Sequence, residues 1–424
     1  MRVLLISANT EHIDILPLPL GLNYIAVAAR NAGHEIKLLD LMVRKDDRSS
    51  VKDAVESFHP DAIGISVRNI DDQNMKSPRF LLEQVKPVVE DCRNLSSAPI
   101  ILGGAGYSIF PESVLNYLEA DMGIQGEGEV SFPLLLDRIK HGSALLGIPG
   151  LYVRGLGLQG KREYVEDTDS LPLADPHLFS LPAPDYREIW MNVQTRRGCP
   201  MNCSYCSTGT IEGHSIRKRR PESVLKEIVG HAEAGFRKYY FVDNTFNIPL
   251  PYAKEICRML IESGLNISWR CILYPGRVDE ELIDLMARAG CIEVSLGFES
   301  GCERILRMMN KKYVPQSILR TSDILKDYGI KRMGFLLLGG PGETKESVEE
   351  SLSFADSLQL DTLKVTVGIR IYPHTTLAKI ALNEGLILKE EELLFPTFYV
   401  VKDLSDWLYD IVKVWTANRP HWVS

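Results

Sequence analysis

Three cysteines stand close together in the segment Arg197-Gly198-Cys199-Pro200-Met201-Asn202-Cys203-Ser204-Tyr205-Cys206, a C-x₃-C-x₂-C spacing. Thiolates are soft ligands, suited to iron–sulfur clusters or to zinc. Three on one short loop can take three corners of a cubane. Clusters of the 4Fe–4S type ordinarily have four cysteine ligands, so one iron would be left open to bind and reduce another molecule. Zinc is the alternative. It needs a fourth ligand, and His214 is the nearest one in the sequence. The other cysteines, Cys92, Cys257, Cys271, Cys291 and Cys302, are scattered. Clustered cysteines in a chain without an export signal point to metal binding or catalysis rather than to a disulfide framework.

Such a loop needs a scaffold, and residues 190–390 supply a repeating one. Short apolar strand patterns at 190–195, 238–242, 267–272, 292–298, 333–338 and 362–371 alternate with amphipathic helix patterns. Six βα repeats predict a partial, open (β/α)6 barrel whose active site lies at the carboxyl ends of the strands. The cysteines follow the first of these strands. Later strands end in Asp243 with Asn244 and Asn247, in Glu299 with Ser300, and in the loop Gly339-Gly340-Pro341-Gly342-Glu343-Thr344. Each has a plain structural alternative: a strand-ending turn for Asp243, a helix cap for Ser300 or Glu299. Arg370 and Tyr372 end the sixth strand. They face either a substrate or a packed, ion-paired interior.

Residues 1–140 show the same alternation, with five short strands and intervening helices. That rhythm predicts a doubly wound, Rossmann-like α/β domain of flavodoxin-like strand order. The first strand runs into Ser7-Ala8-Asn9-Thr10 without G-x-G-x-x-G, which disfavours a dinucleotide. Residues 141–189 are rich in Gly and Pro and read as a hairpin and linker between domains. Residues 391–424, with Trp407, Trp415 and Trp422, read as a short capping tail.

The cysteine motif and its place after barrel strand one resemble the radical S-adenosylmethionine superfamily over about residues 190–390. The resemblance implies a 4Fe–4S cluster on Cys199, Cys203 and Cys206. Its open iron would chelate S-adenosylmethionine and cleave it to a 5′-deoxyadenosyl radical. It also implies cofactor contacts from Asp243 and Asn244 to the methionine ammonium, from Glu299 and Ser300 to the ribose, and from Gly340 and Gly342 to the adenosine. The amino-terminal boxes around Leu20-Gly21, Ser66 and Arg68, Gly103-Gly104 and Gly126-Glu127 resemble the cobalamin-binding domain that precedes many such enzymes. Asp-x-His-x-x-Gly, whose histidine ligates cobalt from below, is missing; His12 lies in the matching loop without the flanking Asp and Gly. Arg68 either sits beneath the ring or pairs with Asp71 or Asp72. The family's commonest outcome is methylation of an unactivated carbon of a small-molecule or lipid-like substrate, through that radical and methylcobalamin. Cyclisation, rearrangement and oxidation are the family's other outcomes, and a non-catalytic iron–sulfur or zinc protein is the rival of another class. An electron donor such as flavodoxin or ferredoxin would be the partner.

Composition narrows the setting. The net charge of −8 gives no electrostatic reason to expect a nucleic-acid partner. No stretch approaches the ~20 apolar residues of a membrane span, and the start MRVLLISANT reads as a strand, so a cytoplasmic location is expected. The basic run Arg217-Lys218-Arg219-Arg220 is expected to be a solvated loop face.

Overall fold

The computed structural model describes residues 1–11, 16–43, 47–179, 181 and 186–424; His12 lies outside them. The apolar runs form two seven-stranded sheets. In the first, β1 (Arg2–Ser7), β2 (Glu35–Asp40), β3 (Ala62–Ser66), β4 (Ile100–Gly103) and β5 (Met122–Ile124) are parallel in the order β2-β1-β3-β4-β5. This is the expected flavodoxin-like order. Period-two alternation divides β1 between two cores. Leu4 and Ile6 pack into the layer of the helices Asp47–Phe58 and Leu82–Leu95. Val3 and Leu5 pack into that of Leu20–Asn31 and Gly128–His141. The expected hairpin is present as β6 (Leu151–Val153) and β7 (Gly157–Leu158), which extend this sheet antiparallel at the β5 edge. The Pro-rich segment after it is fastened to the domain before it: Asn23 and Asp175 exchange two hydrogen bonds of 2.8 and 2.9 Å.

The second sheet begins with β8 (Trp190–Val193). A short antiparallel pair follows, β9 (Arg196–Arg197) with β10 (Arg217–Lys218). Then come β11 (Lys238–Phe241), β12 (Ser268–Leu273), β13 (Cys291–Glu299), β14 (Lys331–Leu338) and β15 (Thr362–Val367). Another small antiparallel pair, β16 (Ile369–Arg370) with β17 (Phe398–Tyr399), precedes the last strand, β18 (Trp422–Val423). The parallel order is β8-β11-β12-β13-β14-β15-β18, with β8 and β18 at the two edges among the described residues. All six expected barrel strands are present. Along β12, Trp269, Cys271 and Leu273 are buried in the helix layer, while Ser268, Arg270 and Ile272 alternate to the concave side. The tail does more than cap: β18 adds a seventh strand beside β15. Trp422 stacks on Trp415 at 5.8 Å, and Arg419 packs over both rings.

The basic run is not a solvated face. Arg217 and Arg219 are buried, because strand alternation turns every second residue inward. Arg217 pairs with Glu127 at 2.6 Å, and Arg219 donates to the carbonyls of Leu171 and Pro172. One apolar cluster runs from Leu4, Ile65 and Ile109 of the first domain to Ile305, Ile369 and Leu377 of the barrel. No helix among the described residues is long and apolar enough to cross a membrane.

Candidate functional site

The cysteine loop leaves β9 at Gly198, whose φ is +84°. A Cβ there would lie 2.0 Å from the Ser215 carbonyl oxygen, so only glycine fits. The loop is held from behind. Ser204 N donates to Met309 O at 3.1 Å, Leu377 N donates to Ser204 O at 2.8 Å, and the Asn310 side chain donates to Asn202 O. Cys199 is buried, Cys203 half-buried and Cys206 exposed. Burial pushes the Cys199 thiol up to about 11, and the neighbouring Cys206 and Cys203 push in the same direction. The Cys203 thiol is also raised by burial, with Cys206 adding to it and Lys311 opposing it. These are three thiols near enough to repel one another as thiolates. A soft, positively charged iron–sulfur unit is the kind of group that relieves such repulsion, so the donor set fits the cluster. His214, the fourth ligand that zinc would need, lies with its ring against Gly209. Among the described residues no three His, Cys, Asp or Glu side chains converge on a single-ion site.

The strand ends divide into residues turned toward this loop and residues turned away. Asp243 is fully buried. Its carboxylate accepts from Thr195 N at 2.8 Å, Thr195 Oγ1 at 2.6 Å and Arg196 N at 3.1 Å, with Arg196 Nε at 3.4 Å. Every bond is to the start of the cysteine loop, so Asp243 positions that loop. The next residue, Asn244, reaches the site instead. Its Oδ1 lies 3.4 Å from Thr208 Oγ1, itself 3.2 Å from Cys206 Sγ, and its Nδ2 donates to Glu212 at 2.7 Å. Asn247 holds the turn after β12 through Tyr274 and Arg277. Glu299 has a left-handed φ of +63° at a register shift in β13, a strained setting for a side chain other than glycine. It accepts from buried Lys311 at 3.2 Å. Ser300 is buried and bonded to Ser351 Oγ, and it accepts from Cys302 N; the helix Glu303–Met308 starts after Cys302 without a side-chain cap, so Ser300 ties the turn rather than capping the helix.

The glycine loop after β14 is closed on itself. Glu343 accepts from Gly339 N and, at 3.0 Å, from Gly340 N, and Gly342 packs on Met308. Burial raises the Glu343 carboxyl to about 7. Arg370 is likewise internal. It pairs with Asp71 at 2.7 Å and donates to the carbonyls of Ile371, Thr397 and Leu393. The substrate-facing alternative for Arg370 is therefore replaced by the ion-paired one, since its donors are spent. Tyr372 packs under the Arg370 guanidinium at 5.1 Å, near enough to Cys206 for that thiolate to raise its hydroxyl further, after burial and Asp71.

The first domain's carboxyl strand ends open onto a cavity of about 350 Å³. Leu20, Gly21, Ser66, Arg68, Gly103, Gly104, Gly126 and Glu127 all line it. Gly21 and Gly103 leave space where side chains would stand; a Cβ on Gly103 would meet nothing nearer than 4.0 Å. Gly104 allows the sharp turn after β4, at φ +101°. Asn9 Nδ2 and Asn192 Oδ1 are buried on the wall without partners among the described residues. A donor and an acceptor left open beside a glycine-lined slot fit a flat ligand rich in amides, as cobalamin is. Arg68 pairs with neither Asp71 nor Asp72, which are taken by Arg370 and Arg79. Arg68 lines the cavity while remaining exposed, and no carboxylate bonds it among the described residues.

The far wall of this cavity is barrel: Asn192, Gln194, Arg197, Glu212 and Val242. Glu212, which the sequence did not single out, also accepts from Gly198 N at 3.0 Å, one residue before Cys199. Arg197 pairs with Glu129 across the domains. Glu127, expected only as a cofactor contact, bonds Val165 N at 2.8 Å as well as Arg217.

The sequence profile of the Radical SAM superfamily matches residues 193–355, and that of the B12 binding domain matches residues 6–136. The chain is a radical S-adenosylmethionine protein with a B12-binding domain. This radical S-adenosylmethionine protein is 28% identical over 402 residues to an uncharacterized methyltransferase of Pyrococcus horikoshii, covering 92% of this chain and 84% of the relative. It is 25% identical over 446 residues to the cytidylyl-2-hydroxyethylphosphonate methyltransferase of Streptomyces wedmorensis, covering 90% and 80%. Its fold matches that of the radical S-adenosylmethionine methyltransferase TsrM from Kitasatospora setae, solved with cobalamin and a 4Fe–4S cluster. The TM-score is 0.89 at 22% identity, over 100% of this chain and 92% of that one.

Proposed function

We propose that this chain is a cobalamin-dependent radical S-adenosylmethionine methyltransferase that methylates an unactivated carbon of a small-molecule or lipid-like substrate. The observation that carries the reading is the shared wall. Glu212 borders the glycine-lined cavity on one side and bonds Gly198 and Asn244 beside the cysteines on the other. Two cofactors held there are neighbours, and the Pyrococcus horikoshii and Streptomyces wedmorensis relatives, matched over 84% and 80% of their own length, are named methyltransferases.

When bound, the cluster with S-adenosylmethionine supplies radical initiation, and cobalamin supplies methyl transfer. The chain's own residues do the rest. Cys199, Cys203 and Cys206 hold the cluster. Asn244, rather than Asp243, offers S-adenosylmethionine a polar contact beside Cys206, with Glu212 behind it, and Glu299 faces the Cys203 side. Asn9 and Asn192 receive cobalamin amides. Arg68, on the cavity lining, would present a cation to bound cobalamin. The lid formed by packing one domain against the other excludes water from reactive species. A low-potential flavodoxin or ferredoxin in a reducing, cytoplasmic setting would deliver the electron.

The test is anaerobic reconstitution with iron, sulfide and cobalamin, followed by incubation with S-adenosylmethionine and a reductant. Cobalamin-dependent S-adenosylhomocysteine together with 5′-deoxyadenosine supports methylation. Deoxyadenosine alone sinks the methyl-transfer assignment, and neither product, with a Cys199→Ala/Cys203→Ala/Cys206→Ala variant behaving as wild type, sinks the enzymatic one.

A further inference from the structure

Behind the cysteine loop lies a cation that the reading above does not use. Lys311 is buried, with 7% of its side chain exposed, at the turn that follows the helix Glu303–Met308. Burying an ammonium is costly unless it is paired. Lys311 meets Glu299 at 3.2 Å and stands over the Tyr205 ring at 5.3 Å, between the second and third cysteines. Its ammonium also stands near enough to Cys203 to oppose the burial that raises that thiol. The approach is built by the backbone on both sides. Met309 O accepts from Ser204 N, and the Asn310 side chain donates to Asn202 O. Residues 309–311 therefore run alongside residues 202–204 in fixed register, and Asn310 adopts a left-handed φ of +59° at that turn.

Resting on the cluster assignment above, we propose that Lys311 is a positioning residue that sets the reduction potential of the cluster through the charge of its buried ammonium beside the cysteine loop. Reduction adds a negative charge to the cluster, and an ammonium fixed beside the cysteine loop stabilises that charge, so Lys311 makes the cluster easier to reduce. Glu299 opposes part of this field while holding the ammonium in place. Its strained backbone aims the carboxylate at Lys311, and the strain is retained because the pair is enclosed.

The experiment is a redox titration of the reconstituted full chain, followed by electron paramagnetic resonance without S-adenosylmethionine, in wild type, Lys311→Met, Lys311→Arg and Glu299→Gln. Iron and sulfide are counted in each. The Lys311→Met potential is expected to move negative, with Lys311→Arg restoring most of the shift. Glu299→Gln is expected to move positive, because the cation is kept and its counter-charge removed. Equal potentials in iron-loaded wild type and Lys311→Met overturn the proposal. If Lys311→Met takes up no iron, the Glu299→Gln potential decides, and an unchanged or negative shift overturns it. A wild-type chain that takes up no iron overturns the cluster assignment and this inference together.

Discussion

Arg370 Nε and Asp71 Oδ2 lie 2.7 Å apart, fully buried and 299 residues distant in sequence. The pair joins the loop after β3 to the end of the barrel. Removing one partner leaves an uncompensated charge in the interior, which typically costs about 3–5 kcal/mol. Arg370→Met and Asp71→Asn are each expected to lower the apoprotein's unfolding free energy by about that much, with a lower midpoint. The double variant is expected to cost less than the sum, as shared partners couple. Thermal and urea unfolding of the four proteins checks this.

Gly103 faces the cavity without contact. Gly103→Leu is expected to weaken cobalamin binding by about an order of magnitude or more, roughly 1.4 kcal/mol per tenfold. Its apoprotein should unfold as wild type does. Equilibrium dialysis against cobalamin, beside an unfolding curve, separates the two effects.

Arg68 is the cavity's cation without a bonded carboxylate among the described residues. Arg68→Ala is expected to bind cobalamin and to show a bound-cofactor absorption shifted from that of wild type. Visible spectra of the two loaded proteins at equal cobalamin content decide it.

Glu343 carries a pH signature. Its folded carboxyl titrates at about 7, above the 4.5 of a free glutamate, because burial disfavours its charge. Below pH 4.5 it is protonated in both states and costs nothing. As pH rises from about 4.5 to 7 the unfolded chain loses this proton first, so wild type loses stability across that window, by up to about 3 kcal/mol. Glu343→Gln removes this loss. The difference in urea midpoints between variant and wild type is therefore expected to favour the variant at pH 8 and to shrink by pH 4.5.

Much of the site was legible in the chain because its signals are local. The C-x₃-C-x₂-C spacing places three thiols on one loop whatever surrounds it, and the short apolar runs mark the six barrel strands. The glycines that line the cavity stood out by type, as did Arg68 by its place at a strand end. Asp243 and Asn244 show where local reading stops. Both end β11, and the sequence favoured the acid. The structure turns Asp243 into the cysteine loop's own backbone and brings Asn244 toward Cys206. Glu212 and Lys311 lie on segments with no spacing to flag them.

The sequence by itself determined the thiol cluster, the flavodoxin-like order of the first sheet and the parallel barrel, since spacing and periodicity act over a few residues. Tertiary structure alone decided the charges. Arg217 was a plausible solvated residue until β10 turned it onto Glu127, and Arg370 a plausible substrate contact until Asp71 came within 2.7 Å. A charge is placed by whichever partner the fold brings to it, often from hundreds of residues away, because an unpaired charge cannot be buried cheaply. No local pattern encodes that meeting.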